Sequence, residues 1–277
     1  MKKYTEKFVA FIDILGFKNM VASSSATGKP SIEELENLQS ILRNEQDQRF
    51  YKTSGAEIAP CSKHIQKDLN FAVSQISDCV IVSAEISPAG IINLIKFCWK
   101  IVLQFLERGV LCRGYITKGN IYHEGSQFIG QAYNEAYINE SKVSFMKEEN
   151  EKNAPPFVEI NSTICEYVEK ETDEVVRMMF HGFTRTEDGL TAIFPFQLIY
   201  SQDIMSDYAK ESNNNVRQRL LFYKDKILEN AKNADDSAMQ KINHYIRALD
   251  KQLELCEKLD RDIDVMNMPF GEIYNGQ

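Results

Sequence analysis

Six cysteines stand at 61, 79, 98, 112, 165 and 256 with no C-x-x-C pair among them, and the four histidines lie at no zinc-ligand spacing from them. That pattern excludes zinc fingers, zinc ribbons and thioredoxin-like redox motifs. A clean membrane-length apolar run is missing too. The most apolar window, residues 91 to 110, carries Lys96, Lys100, Glu107 and Arg108 and is not expected to span a bilayer. Clustered basic residues are also lacking: 32 Lys and Arg against 40 Asp and Glu leave a net charge of −8. This argues against a general nucleic-acid surface, so any anionic ligand has to be caught locally. No signal-peptide pattern opens the sequence, and neither an internal repeat nor a long low-complexity tract interrupts it. Cys79, Cys98 and Cys112 lie in apolar runs, where free thiols pack as small hydrophobes. The expectation is a cytoplasmic protein with neither nucleic acid nor membrane as a partner.

Two apolar, β-branched-rich runs are each interrupted by one carboxylate. FVAFIDILGF at 8 to 17 contains Asp13, and NFAVSQISDCVIVSAE at 70 to 85 contains Asp78. Burying a carboxylate beside Phe11 and Ile14, or beside Val80 and Val82, costs several kcal/mol unless a cation or donors compensate. A shared metal is one such compensation.

The first run reads as a central strand, apolar on both faces, over about residues 7 to 14. Gly16 then turns the chain into a polar loop at 23 to 30, and Ser31 with Glu34 forms a capping box that opens a helix. Residues 70 to 76 and 79 to 84 read as a hairpin with Ser77 and Asp78 at its tip. A second helix is expected from Pro88 to about Arg108, stopped by Gly109, and VLCRGYITKGNIY returns as a strand.

The predicted fold class is α+β: a ferredoxin-like βαββαβ palm with extra strands and a C-terminal helical segment. In that topology the end of the first strand and the tip of the central hairpin lie side by side, so Asp13 and Asp78 meet. Beyond residue 150, PPFVEINSTICEYV and RMMFHGFTRTEDGLTAIFPFQLIY suggest further strands with a turn at Glu187 to Gly189. From about 203 two amphipathic helices follow, split near Asn233 to Asp236. The expected organisation is a catalytic domain over 1–202 and a helical extension over 203–277, packed on the core or on a dimer partner. His64, His123, His181 and His244 have no carboxylate at useful spacing and are expected to be structural or surface residues; Ser77 and Cys79 lack a base to activate them.

The two aspartates in context resemble the class III nucleotidyl cyclases, and more closely the bacterial Pycsar pyrimidine cyclases. Phe11, Asp13, Ile14, Gly16 and Phe17 match the strand pattern F-x-D-I-x-G-F. Residues Ser77 to Ser83 match the hairpin pattern G-D-C-Y-Y-C-V-S in part, and Gly130, Asn134, Ala136 and Glu140 match a later helical segment. Three segments in the right order cover about residues 7 to 141.

The resemblance implies that Asp13, Asp78 and the Ile14 carbonyl hold two Mg²⁺ or Mn²⁺ ions for in-line attack of a ribose 3′-hydroxyl on the α-phosphate. It implies that the Gly16 and Phe17 amides, with Lys18 nearby, cradle the outer phosphates. At the base-reading positions this chain has Ser74 and Gln127, neither of the purine codes, which favours UTP or CTP. The family arginine that steadies the transferring phosphate falls at Ile138. Lys142, Arg113 and Lys118 are the available substitutes, and Asn134 keeps its place to orient ribose or phosphate. A homodimer with sites at the subunit interface is implied, its product acting on a separate cyclic-nucleotide-responsive effector in antiviral defence. A purine cyclase and a catalytically silent nucleotide sensor stand as alternatives.

Overall fold

The computed structural model describes residues 2–43, 61–64, 68–149, 151–196 and 207–266. Strand β1 (Thr5–Ile14) is followed by helices α1 (Phe17–Thr27) and α2 (Ile32–Arg43). The β2 (Phe71–Ile76) and β3 (Cys79–Glu85) hairpin comes next, then α3 (Pro88–Leu106) and the long β4 (Cys112–Glu124). Among the described residues one eight-stranded sheet forms, in the order β2-β3-β1-β4-β6-β8-β7, with β5 (Gln127–Gly130) paired to β4. Its β2-β3-β1-β4 part is antiparallel throughout and has the strand order of a ferredoxin-like core, as the sequence predicts.

The extra strands are β6 (Val158–Ile160), parallel to β4, and the hairpin β7 (Thr184–Glu187) and β8 (Leu190–Ile193). Helices α4 (Gln131–Glu140), α5 (Ser162–Glu169) and α6 (Glu174–Phe183) complete this part. Helices α7 (Asp207–Asn230) and α8 (Asp236–Met266) are joined by a short 3-10 turn at Ala231–Asn233, close to the expected split. Tyr223, Ile227, Tyr245 and Leu249 from this pair enter the main core cluster.

β1 is buried on both faces because its residues alternate between two apolar environments. Phe8, Ala10, Ile12 and Ile14 pack with Val80, Val82 and the α3 residues Ile91, Leu94, Ile95 and Cys98. Val9 and Phe11 pack on the other side with Ile81, Ile121 and the α4 residues Ala132 and Ala136. Asp13 shares this second face.

Several sequence expectations are corrected. The polar stretch at 23 to 30 is helical through Thr27: serine costs a helix only a few tenths of a kcal/mol, and the stop comes at Gly28, whose φ of 72° suits only glycine well. The apolar run at 155 to 168 is a strand only over Val158–Ile160, because Asn161 caps a helix by accepting from the Thr163 N–H at 2.9 Å. Residues 177 to 183 belong to α6 rather than a strand, with Asp173 accepting from the Val175 N–H at 3.0 Å as its cap.

The apolar window is corrected as well. Shifted to Pro88–Leu106 it is long and apolar enough to cross a membrane, and 72% of it is buried against the sheet and its neighbours. The capping box is present, with Ser31 N–H donating to Glu34 at 2.7 Å and Glu34 N–H donating to Ser31 at 3.2 Å. All six thiols are free. The expected boundary at 202 and 203, and residues 197–200 of the last expected strand, lie outside the described residues.

Candidate active site

The ends of β1 and of the β2–β3 hairpin are tied together by backbone. Asp13 is the register partner of Cys79, and the Ile14 N–H donates to the carbonyl of Asp78 at 3.0 Å. Ser77 adopts φ 51° to make the tight turn, and its carbonyl accepts from Gln75 at 2.9 Å and Gln39 of α2 at 3.2 Å. Two carboxylates 65 positions apart in sequence are thereby fixed at one sheet end.

Their electrostatics are those of crowded negative charge. Asp13 is half-buried and its pKa is raised to about 7, first by loss of water and then by the negative charges of Asp78 and Glu140. Arg113 and the Ile14 amide offset this only in part. The Cys79 thiol is pushed up to about 12 by burial and the same three carboxylates. A hard divalent cation suits this concentration of negative charge at the strand end, and the carboxylates of Asp13 and Asp78 are of the type that ligates one. Among the described residues no group of three or more His, Cys, Asp or Glu side chains is gathered for a metal. A cation here would depend on the aspartate pair and neighbouring backbone oxygens.

Arg113 on β4 is the register partner of Asp13 and shares its face of the sheet. Its Nε donates to Glu140 Oε1 at 2.6 Å, and its Nη1 to the Ala154 carbonyl at 3.3 Å. The side chains of Arg113 and Glu140 are only 13% and 10% exposed. Of the other candidate cations, Lys18 and Lys142 are exposed, and Lys118 pairs with Glu6 at 3.7 Å.

Gly16 starts α1 with φ 78° and no side-chain cap. The first amides of that helix therefore lack intrahelical partners just beyond Asp13. The Phe17 side chain is buried in the core, so only its backbone faces this turn. Asn134 is exposed on α4, and Ile138, one turn later, is 50% exposed.

Ser74 and the turn that precedes Gln127 come together. Ser74 is buried and its hydroxyl donates to the Gly125 carbonyl at 2.7 Å. With its one proton used, Ser74 accepts from His123 Nε2 at 2.9 Å, and Ser83 donates to His123 Nδ1 at 2.9 Å. Burial and the Lys7 charge lower the His123 pKa to about 4, so the ring is neutral and its tautomer is set by the two serines. Gln127 is exposed and accepts from Lys2 at 2.9 Å.

Sequence reasoning missed this His123 latch. The only signal was parity, since His123 shares the inward face with Ile121 and Ser83 with Ile81. The other histidines do have carboxylate neighbours: His64 with Glu171, His181 with Glu169 and His244 with Glu151, each at 3.1 Å. Only the folded chain brings these partners together.

No family model matches the chain, and no curated protein matches it. Among solved structures, two of a bacterial light-regulated adenylyl cyclase align at 16% identity over 60% of this chain with TM-score 0.36, and at 15% over 79% with TM-score 0.38. The aligned regions span 46% and 58% of those chains, so the match covers about half of their length. The catalytic core of a rhodopsin-guanylyl cyclase with converted specificity, in complex with ATPαS, aligns at 13% identity over 68% of this chain and 94% of its own, with TM-score 0.37. Likeness this low assigns neither a family nor an activity.

Proposed function

We propose that the chain is a nucleotidyl cyclase of the class III kind, converting UTP or CTP to the 3′,5′-cyclic monophosphate and pyrophosphate. The observation that carries this reading is the convergence of Asp13 and Asp78 at one strand end, with a field that calls for added positive charge. In this reading Asp13, Asp78 and the Ile14 carbonyl hold two divalent ions. Bound there, Mg²⁺ or Mn²⁺ would supply Lewis-acid activation of the 3′-hydroxyl and charge neutralisation for the triphosphate.

The chain's own groups do the rest. The Gly16 and Phe17 amides receive the outer phosphates, with Lys18 as a local cation. Asn134, reaching from the second copy of a homodimer, orients the ribose; Lys142 of that copy lies in the turn just past the end of α4. The 3′-oxygen forms its bond to the α-phosphorus as the bond to the bridging oxygen breaks, pyrophosphate leaves, and the hydroxyl proton passes to solvent. Arg113 steadies the charge that develops on the transferring phosphate.

The pyrimidine preference is supported by the absence of either purine code. The Ser74 hydroxyl is committed to His123 and Gly125, which leaves Gln127 as the amide able to meet a base edge. The cyclic product would act on a separate effector, the antiviral role that the Pycsar resemblance implies.

A second reading is a nucleotide-sensing domain without turnover, favoured by Ile138 in place of the family arginine. Incubating the purified protein with each of four labelled NTPs and Mn²⁺ separates the readings. A single cyclic pyrimidine supports the proposal; a cyclic purine reassigns the substrate, and nucleotide binding without product selects the sensor.

A further inference from the structure

Ser77 occupies a backbone conformation that suits glycine better. The β2–β3 hairpin turns in two residues, Ser77 and Asp78, between the paired Ile76 and Cys79, and the φ of Ser77 is 51°. A Cβ at positive φ crowds the following carbonyl, which is why glycine is preferred at the first position of such turns. Serine needs outside support to stay there, and two side-chain amides supply it. The Ser77 carbonyl accepts from Gln75 Nε2 at 2.9 Å and from Gln39 Nε2 at 3.2 Å. Arg43 Nε donates to Gln75 Oε1 at 2.6 Å, so the Gln75 amide can only present its NH2 group to Ser77. Gln39 and Arg43 lie one helical turn apart on α2, and the end of that helix thereby reaches the hairpin tip.

Docking of α2 does not require these contacts. Leu35, Leu38, Ile41 and Leu42 already bury its apolar face in the core, while Gln39 and Gln75 are half-exposed and Arg43 is exposed. Hydrogen bonds that compete with water add little net stability. What they fix is direction. The Ser77 carbonyl belongs to the peptide plane before Asp78, and the Asp78 carbonyl, which accepts from the Ile14 N–H at 3.0 Å, belongs to the plane after it. With both planes held, the Cα–Cβ bond of Asp78 has one direction.

We propose that Gln39 and Gln75, the latter steadied by Arg43, are positioning residues that hold the Ser77 turn and so set the direction of the Asp78 carboxylate as a metal ligand. This rests on the cyclase reading and adds to it the support of one of the two aspartates, delivered by α2.

The test is Mn²⁺ affinity, read by electron paramagnetic resonance with a non-hydrolysable UTP or CTP analogue present. Four proteins are compared: wild type, Ser77→Gly, the double variant Gln39→Met with Gln75→Met, and that double variant with Ser77→Gly added. Methionine keeps the length of glutamine and removes the amide. The double variant should bind Mn²⁺ about 10-fold more weakly, as when a residue that orients a metal ligand is lost. Adding Ser77→Gly should return the affinity to within about threefold of wild type, because glycine takes positive φ unaided. Ser77→Gly alone should stay in that same range. In chelator, amide exchange at Ile14 should quicken about 10-fold in the double variant and recover with Ser77→Gly, a sign that needs no metal.

Unchanged Mn²⁺ affinity or unchanged Ile14 exchange in the double variant overturns the proposal. A loss of affinity that Ser77→Gly leaves in place overturns it as well, since the amides would then act by another route than the turn. The parent reading fails in a different way, through a wild-type protein that takes up no Mn²⁺, and this role falls with it.

Discussion

The Ile14 N–H donates to the Asp78 carbonyl across 3.0 Å, locking the residue after one acidic strand end to the tip of the hairpin that carries the other. One backbone bond thus sets the spacing of both side chains, and it forms only if β1 and β3 pair in the register that places Asp13 opposite Cys79. A slip of one residue would turn Asp13 into the apolar layer under α3.

The raised pKa of Asp13, about 7, and the lowered pKa of His123, about 4, give opposite pH dependences to the metal-free protein. Between about pH 4 and 7 folded Asp13 holds a proton that the unfolded chain has released, so its contribution to stability falls as pH rises. Over much of that range folded His123 is neutral while the unfolded chain binds a proton, so its contribution falls as pH drops. The two slopes largely cancel in wild type. Asp13→Asn should lose stability on acidification relative to wild type, and His123→Ala should lose it on alkalinisation. Each difference is below about 1.4 kcal/mol per pH unit, reduced for Asp13 by its solvent-facing side. Urea unfolding between pH 4.5 and 7 in chelator, taken as variant minus wild type, reads both signs.

His123 also fills the space between two buried hydroxyls. His123→Ala removes the ring and leaves Ser74 and Ser83 short of partners, which should cost about 2–4 kcal/mol at pH 7. The same variant leaves the Ser74–Gly125 bond as the side-chain tie between β2 and the β4–β5 turn, so amide exchange should quicken at residues 121–130 while β1 stays protected.

Gly109 joins the core to the C-terminal helices. Its φ is 66°, and a Cβ there would lie 2.2 Å from the Lys226 carbonyl oxygen, while Asn230 of the same helix donates to the Arg108 carbonyl at 2.7 Å. Gly109→Ala should destabilise the protein by about 2 kcal/mol or more through strain and displaced backbone. Faster amide exchange across α7 is the accompanying sign.

What could be read from the sequence was local or topological. The order of strands and helices placed Asp13 and Asp78 together, the Ser31 and Glu34 pair marked a helix start, and Pro88 and Gly109 bracketed α3. Asn161 and Asp173 misled because the β-branched and aromatic residues beside them read as strand, while a single cap hydrogen bond started a helix. The links Arg113 to Glu140 and His64 to Glu171 join residues 27 and 107 positions apart, and no local pattern carries them. The His123 latch stayed hidden for the same reason, since its serines belong to two other strands.

Mn²⁺ binding followed by electron paramagnetic resonance, with a non-hydrolysable UTP or CTP analogue present, tests the paired-aspartate site most directly. Wild type should take up two ions per nucleotide-loaded site, while Asp13→Ala and Asp78→Ala should lose that uptake and stay folded. Undiminished Mn²⁺ uptake in either variant would contradict the account.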